Sequence, residues 1–357
     1  MKPTNRHILY GCLLVLSCLL YSCDKRRDIA APSVRLQLKV EGFKAPNADA
    51  KTTARTIVEP TDPKDIPIKN VWVIQLQNDI AEKATYIENY EQSPYIDILL
   101  MNGDFKFIFI VNTFDPNLLA SCIDKSIDYI RNNYYQSFSF DTAGGAQGLF
   151  AEDPDGKQYL PLYGETEQYM DYLNASLIEC TLSYNMTKVT VVLKQDFDYS
   201  TEENAVFKNI TMCSVPSRHY ILDQAETAKT TGTFTSSPVL EIVDATMKTA
   251  AGQTFTFYLP NNHQGSVPSI KHPFDKVLEK APGQTNGTHI KITAEYNGYR
   301  YTYTYFLGGN MTSDFNLKRG YHYIYDLTFW SIGDDRDICD PVGVEHDNRI
   351  TKERIAN

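Results

Sequence analysis

After residue 22 the chain has no apolar run approaching the roughly 18 residues that mark a membrane-spanning helix, so a helical membrane protein is excluded. Positive charge is also short, with 34 Lys and Arg against 44 Asp and Glu and a net charge of −10. Nucleic-acid affinity depends on a basic stripe that neutralises phosphates, so nucleic acid is excluded as a partner. The cysteines are far apart: beyond Cys12, Cys18 and Cys23 they are Cys122, Cys180, Cys213 and Cys339. That spacing gives neither a C-x-x-C redox pair nor a zinc knuckle. The last four allow three pairings that the sequence does not choose between, and buried free thiols are the simpler reading. There is no G-x-S-x-G elbow, H-E-x-x-H pair, phosphate-binding loop or dinucleotide fingerprint, and the histidines are dispersed. Acid pairs such as Asp153 with Asp155, or Asp334 with Asp335, are accounted for by surface solvation of an acidic chain. No enzyme, metal site or cofactor is therefore expected.

What is present is a foldable chain. Its 357 residues are 42% hydrophobic and 22% charged, which excludes wholesale disorder and collagen-like or coiled-coil architecture and predicts more than one hydrophobic core. The 24 Tyr and 17 Phe, with Thr- and Val-rich runs, favour strands. The beginning reads differently. Lys2 and Arg6 precede an apolar run over residues 8–20, the length of a secretion-signal core. Leu20-Tyr21-Ser22-Cys23 resembles a bacterial lipobox, with Tyr21 an imperfect spacer, and the polar Asp24-Lys25-Arg26-Arg27-Asp28 follows. The expectation is a leader over 1–22, acylation of Cys23, and a tether over 23–33. Lys2 and Arg6 would leave with the leader, so 32 basic residues would face 44 acidic ones in the lipidated chain. Acyl chains alone would then hold it to a membrane, outside the cytoplasm.

In Val34-Arg35-Leu36-Gln37-Leu38-Lys39-Val40-Glu41 apolar and polar residues alternate strictly, the mark of a half-buried strand. A Pro-, Thr- and Asp-rich loop follows, with Arg55 inside it. Further strands are predicted over 68–77, 95–101 and 105–112, the last two forming a hairpin about Asn102-Gly103-Asp104. The stretch 105–111 is apolar on both faces and should be central. Asp115 and Pro116 open a predicted helix carrying Leu119, Ile123, Ile127, Ile130 and Tyr134, its apolar stripe on the sheet. Strands follow over 175–184 and 186–193, then a polar hinge over 194–204. A second set lies over 205–215, 219–222, 240–245, 255–259, 289–296, 299–307 and 321–330. Short strands without intervening helices favour two antiparallel β-sandwiches in tandem, over 56–196 and 197–333, with a polar tail over 334–357. The alternating tyrosines of 299–305 read more simply as one face of a sandwich strand than as a sugar-stacking stripe.

An ordered set of segments resembles the fimbrillin family, the subunits of type V pili. It comprises the lipobox at Cys23, the alternating strand followed by Thr53-Ala54-Arg55-Thr56, and Leu160-Pro161-Leu162-Tyr163-Gly164-Glu165 ahead of Thr187-Lys188-Val189-Thr190-Val191-Val192. It continues with Tyr258-Leu259-Pro260-Asn261-Asn262-His263-Gln264-Gly265, Tyr305-Phe306-Leu307-Gly308-Gly309-Asn310, Asp314-Phe315-Asn316-Leu317-Lys318-Arg319-Gly320 and Tyr323. Ser183-Tyr184-Asn185-Met186 departs from the Arg and Ala that relatives often carry there.

The resemblance implies a pair of Greek-key, transthyretin-like sandwiches in an outer-membrane lipoprotein that assembles with other pilus subunits by strand exchange. An arginine-specific protease would cut after Arg55 to leave Thr56 as the new N-terminus, releasing the strand that carries Val34, Leu36, Leu38 and Val40. Burying those four side chains is worth about 6–12 kcal/mol, so their departure would open an apolar groove with free backbone edges. The alternative is a permanent first strand in a non-polymerising surface lipoprotein that binds glycan or host protein. The C-terminal stretch, with scattered Val342, Val344, Ile350 and Ile355, is a poor donor strand, which favours a tip or anchor subunit over the shaft.

Overall fold

The computed structural model describes residues 33–46, 67–98, 102–140, 147–148, 151–152, 158–171, 177–196, 206–223, 228–329 and 349–355. In the first half the strands are β1 (Ser33–Val40), β2 (Val71–Gln77), β3 (Ile80–Ile87), β4 (Tyr95–Asp97), β5 (Gly103–Val111), β6 (Tyr135–Ser137), β7 (Gln147–Gly148), β8 (Ala151–Glu152), β9 (Gln158–Tyr159), β10 (Leu162–Met170) and β11 (Leu177–Tyr184), with helix α1 (Ile127–Asn133) before β6. The second half holds β12 (Thr187–Gln195), β13 (Val206–Cys213), β14 (Val215–Pro216), β15 (Arg218–Tyr220), β16 (Phe234–Thr235), β17 (Leu240–Glu241), β18 (Gln253–Leu259), β19 (His289–Tyr296), β20 (Tyr299–Phe306), β21 (His322–Phe329) and β22 (Ile350–Arg354), with the one-turn helix α2 (Asp244–Met247) after β17. The protein is mostly β.

Seven strands run in the order β3-β2-β5-β10-β11-β1-β4. β5 is central, as its apolar faces require: Phe105, Phe107, Phe109 and Val111 enter one core, and Ile108 and Ile110 a second core beneath α1. Between β10 and β11 the ladder holds for only Leu162↔Tyr184 and Tyr163↔Ser183. Gly164 sits where they diverge. A Cβ there would lie 2.7 Å from the Cys180 sulfur and 2.8 Å from the Thr181 carbonyl oxygen, so this crossing excludes any side chain. Beyond the corner, β1 places Val34 and Leu36 in the same core as the β5 phenylalanines. The second half forms a four-stranded sheet, β21-β12-β18-β7, and a five-stranded one, β17-β13-β19-β20-β22.

Several expectations change. The ladders are not all antiparallel: β1 with β11, β12 with β21 and β7 with β18 run parallel. Each parallel pair joins strands far apart in sequence, since such pairs need a long crossover. β4 does not form a hairpin with β5; it pairs with β1 at the opposite end of the sheet. The long helix from Asp115 is absent. The Asp115 carboxylate accepts from the Asn117 N–H at 2.8 Å in a local turn, and Asp124 takes φ 63, which no right-handed helix accommodates. Helix begins only at Ile127, capped by the Ser126 hydroxyl, which accepts from the Tyr129 N–H at 3.1 Å. Ile123, expected on its apolar stripe, is exposed. β12 takes both ladder partners, β18 and β21, from the second half of the chain. In the polar tail, β22 adds an edge strand to β20.

Candidate functional site

β1 follows its sequence alternation: Val34 and Leu36 are fully buried, Leu38 and Val40 half-buried, and the residues between them exposed. One side is a continuous parallel ladder to β11, from Arg35↔Leu177 to Val40↔Leu182, extended by the Glu41 N–H bonding the Leu182 carbonyl at 2.8 Å. The other side is only partly a strand edge. β4 covers Ser33 to Arg35, and the Leu36 N–H reaches the Pro94 carbonyl at 2.8 Å. From there a side chain takes over: the Tyr90 hydroxyl accepts from the Leu38 N–H at 3.3 Å and donates to the Leu36 carbonyl at 3.1 Å. That hydroxyl supplies the donor and acceptor that a neighbouring strand would have offered.

After β1 the chain reaches across to the second half. The Phe43 ring stacks on Tyr184, centroids 3.8 Å apart, and Lys44 bridges Tyr321 in parallel, its N–H bonding the Gly320 carbonyl at 2.7 Å. Residues 33–44 thus tie one sheet to the start of β21. Opposite Leu38 in the ladder lies Cys180, whose thiol is buried and has its pKa pushed up to about 12, first by desolvation and then by the Glu165 charge. Above it, where β10 and β11 diverge, opens a polar cavity of about 300 Å³ lined by Gln37, Lys39, Glu165, Glu179, Cys180 and their neighbours.

The end of the molecule before β21 is locked by Arg319. Its guanidinium is buried, bonds the Tyr220 carbonyl at 3.1 Å and the Leu222 carbonyl at 3.3 Å, contacts the Asn185 side-chain oxygen, and pairs with the Asp223 carboxylate at 3.2 Å. His219 lies buried nearby; desolvation and then the Arg319 charge push its pKa down. The guanidinium also donates to the Asn261 side-chain oxygen at 3.3 Å, so the cluster joins four segments of the chain.

Cys23, Arg55 and Thr56, the expected lipid site and cut site, lie outside the described residues, as do the leader, the pair Asp334 with Asp335, and Cys339. Cys122, Cys180 and Cys213 are free thiols. Among the described residues no helix is long and apolar enough to cross a membrane, and no three His, Cys, Asp or Glu side chains are placed to share a metal ion. Tyr301, Tyr303 and Tyr305 are buried in the core, so that stripe is packing. The structure adds Tyr90, Phe43 and Cys180 to the site. No local sequence signal marks Tyr90 as the partner of a strand some fifty positions earlier.

A family model, a domain of unknown function (DUF4906), matches residues 257–327, from the end of β18 into β21. No curated protein matches the sequence. The structure superposes on a candidate cell adhesion protein from Bacteroides eggerthii with a TM-score of 0.52 at 13% identity, covering 91% of this chain and 96% of that one. The fold is shared. Weaker likenesses include a candidate cell adhesion protein from Parabacteroides distasonis, with TM-score 0.47, 11% identity and coverage of 90% and 96%, and a fimbrilin from Porphyromonas gingivalis, with TM-score 0.43, 9% identity and coverage of 91% and 99%.

Proposed function

We propose that the chain is a bacterial surface protein of the fimbrial and adhesive type, exported as a lipoprotein through Cys23 and assembled with other pilus subunits by exchange of β1. The observation that carries this reading is the placement of β1. Its ladder partner β11 is remote in sequence, it plugs a core with Val34 and Leu36, and its covalent link to the rest of the fold runs through residues 47–66, where Arg55 lies. One cut there leaves β1 held by non-covalent contacts alone. Val34 and Leu36 together contribute about 3–6 kcal/mol and the half-buried Leu38 and Val40 less, an amount a well-matched replacement strand can supply. The fold shared with the B. eggerthii protein and the sequence resemblance to fimbrillins point the same way.

β22 shapes the subunit's place. Apart from half-buried Ile350 its residues are exposed, and it has no alternating apolar face to donate. A subunit that accepts but does not donate fits a pilus end, tip or anchor. The test is exposure of the lipidated precursor to an arginine-specific protease. The expected product begins at Thr56, has lost residues 23–55, and enters SDS-resistant complexes with partner subunits. A chain that keeps residues 23–55 and stays monomeric contradicts the proposal.

A further inference from the structure

The exposed side of β1 indicates what can replace it. That side shows Arg35, Gln37 and Lys39, two cations, with Glu41 as the next exposed residue of the same parity where the ladder ends. The surroundings are acidic. Glu179 stands opposite Gln37 in the ladder, one diagonal step from both Arg35 and Lys39. Asp97 stands opposite Ser33, one diagonal step from Arg35. Glu165 lines the cavity of about 300 Å³ together with Lys39 and Glu179. Lys106 offsets Glu165 at 2.9 Å, whereas Glu179 and Asp97 have no ion pair among the described residues. Departure of β1 therefore withdraws two cations and leaves Glu179 and Asp97 without an ion pair among the described residues, beside the Glu165–Lys106 pair, around an apolar floor. Diagonal neighbours on a sheet face still interact, and like charges there are destabilising.

We infer that this groove selects, from a different subunit, a strand with apolar side chains at the registers of Val34, Leu36, Leu38 and Val40 and with lysine or arginine between them, and that it rejects a strand with acids there. The inference rests on the exchange reading above. The donor is not β22 of a second copy, because Ile350-Thr351-Lys352-Glu353-Arg354 presents no alternating apolar face. Two features act together: the floor demands alternation, and the rim demands positive charge on the outer parity.

The test uses the full chain carrying an inserted sequence-specific protease site within residues 47–66, cut, freed of the segment before the cut, and then offered two fluorescent peptides. One has the sequence of residues 33–41; the other has glutamate at the registers of Arg35 and Lys39. Fluorescence anisotropy should give the basic peptide about ten-fold tighter binding at low salt, with the gap closing as ionic strength rises. Glu179→Lys, an exposed substitution, should erase most of that gap while leaving apolar insertion intact. Equal affinity for both peptides overturns the charge selection and leaves strand exchange standing. Binding of neither peptide overturns both.

Discussion

Tyr90 replaces part of a β-strand with one hydroxyl, and that makes the hold on β1 adjustable by a single oxygen. Leu36 and Leu38 turn their N–H groups away from β11, and beyond the reach of β4 only the Tyr90 hydroxyl serves Leu38. Tyr90→Phe should keep the ring packing and remove that contact, costing about 1 kcal/mol. Amide hydrogen exchange checks this: the Leu38 N–H should lose protection about five-fold while β5 amides are unchanged. Unaltered exchange at Leu38 would show that the hydroxyl contributes nothing to retention of β1. At this scale the sequence was legible where burial is local. The alternation of Val34 and Leu36 and the two apolar faces of β5 both state their burial, because side chains on a strand alternate by geometry. Tyr90 was not legible, since its role depends on a backbone group brought in by tertiary folding.

Element by element, strands were readable where clear alternation or a marked turn sets them off. β19 and β20 meet about Asn297-Gly298, with φ 51 and 76, a turn whose residues announce themselves. β3 escaped notice because its sequence, IAEKATYI, alternates imperfectly, although Asn78-Asp79 with φ 49 and 60 makes the same kind of turn. The helix is shorter than its pattern predicts because helical spacing of apolar residues from Leu119 to Tyr134 also arises in a chain of turns over a core.

The loop between β18 and β19 carries a further consequence. Lys276 there is buried; its ammonium donates to the Asn310 and Asp314 carbonyls at 2.7 Å each and lies 5.0 Å from the centre of the Phe315 ring. Desolvation lowers its pKa to about 7, with the Asp314 charge opposing. Above pH 7 the folded chain sheds a proton that the unfolded chain retains up to its ordinary value near 10.5. Stability from this group therefore rises across that window and is least at acid pH. Urea midpoints at pH 6 and pH 9 should show wild type gaining about 3 kcal/mol relative to Lys276→Met over that interval. Parallel pH profiles for the two proteins would contradict the assignment.

Over the whole molecule, what the sequence could not state is which distant strands become neighbours. The parallel partnerships of β1 with β11 and β12 with β21 leave no local trace, and they decide how the sheets are assembled. Arg319, a buried cation, gathers Asn185, Tyr220, Leu222 and Asp223 from segments far apart in the sequence. Cys180, opposite Leu38 in the ladder, reports on β1 directly. Its thiol is buried and poorly ionised in the intact chain, whereas Cys122, beneath α1, is an internal control distant from β1 in the fold. The deciding measurement is maleimide modification of the full chain before and after a cut within residues 47–66 and removal of β1, with each cysteine quantified by mass spectrometry. Exchange of β1 requires that Cys180 be protected at first and become reactive once β1 is gone, while Cys122 stays protected throughout. Equal reactivity of Cys180 before and after removal of β1 would contradict it.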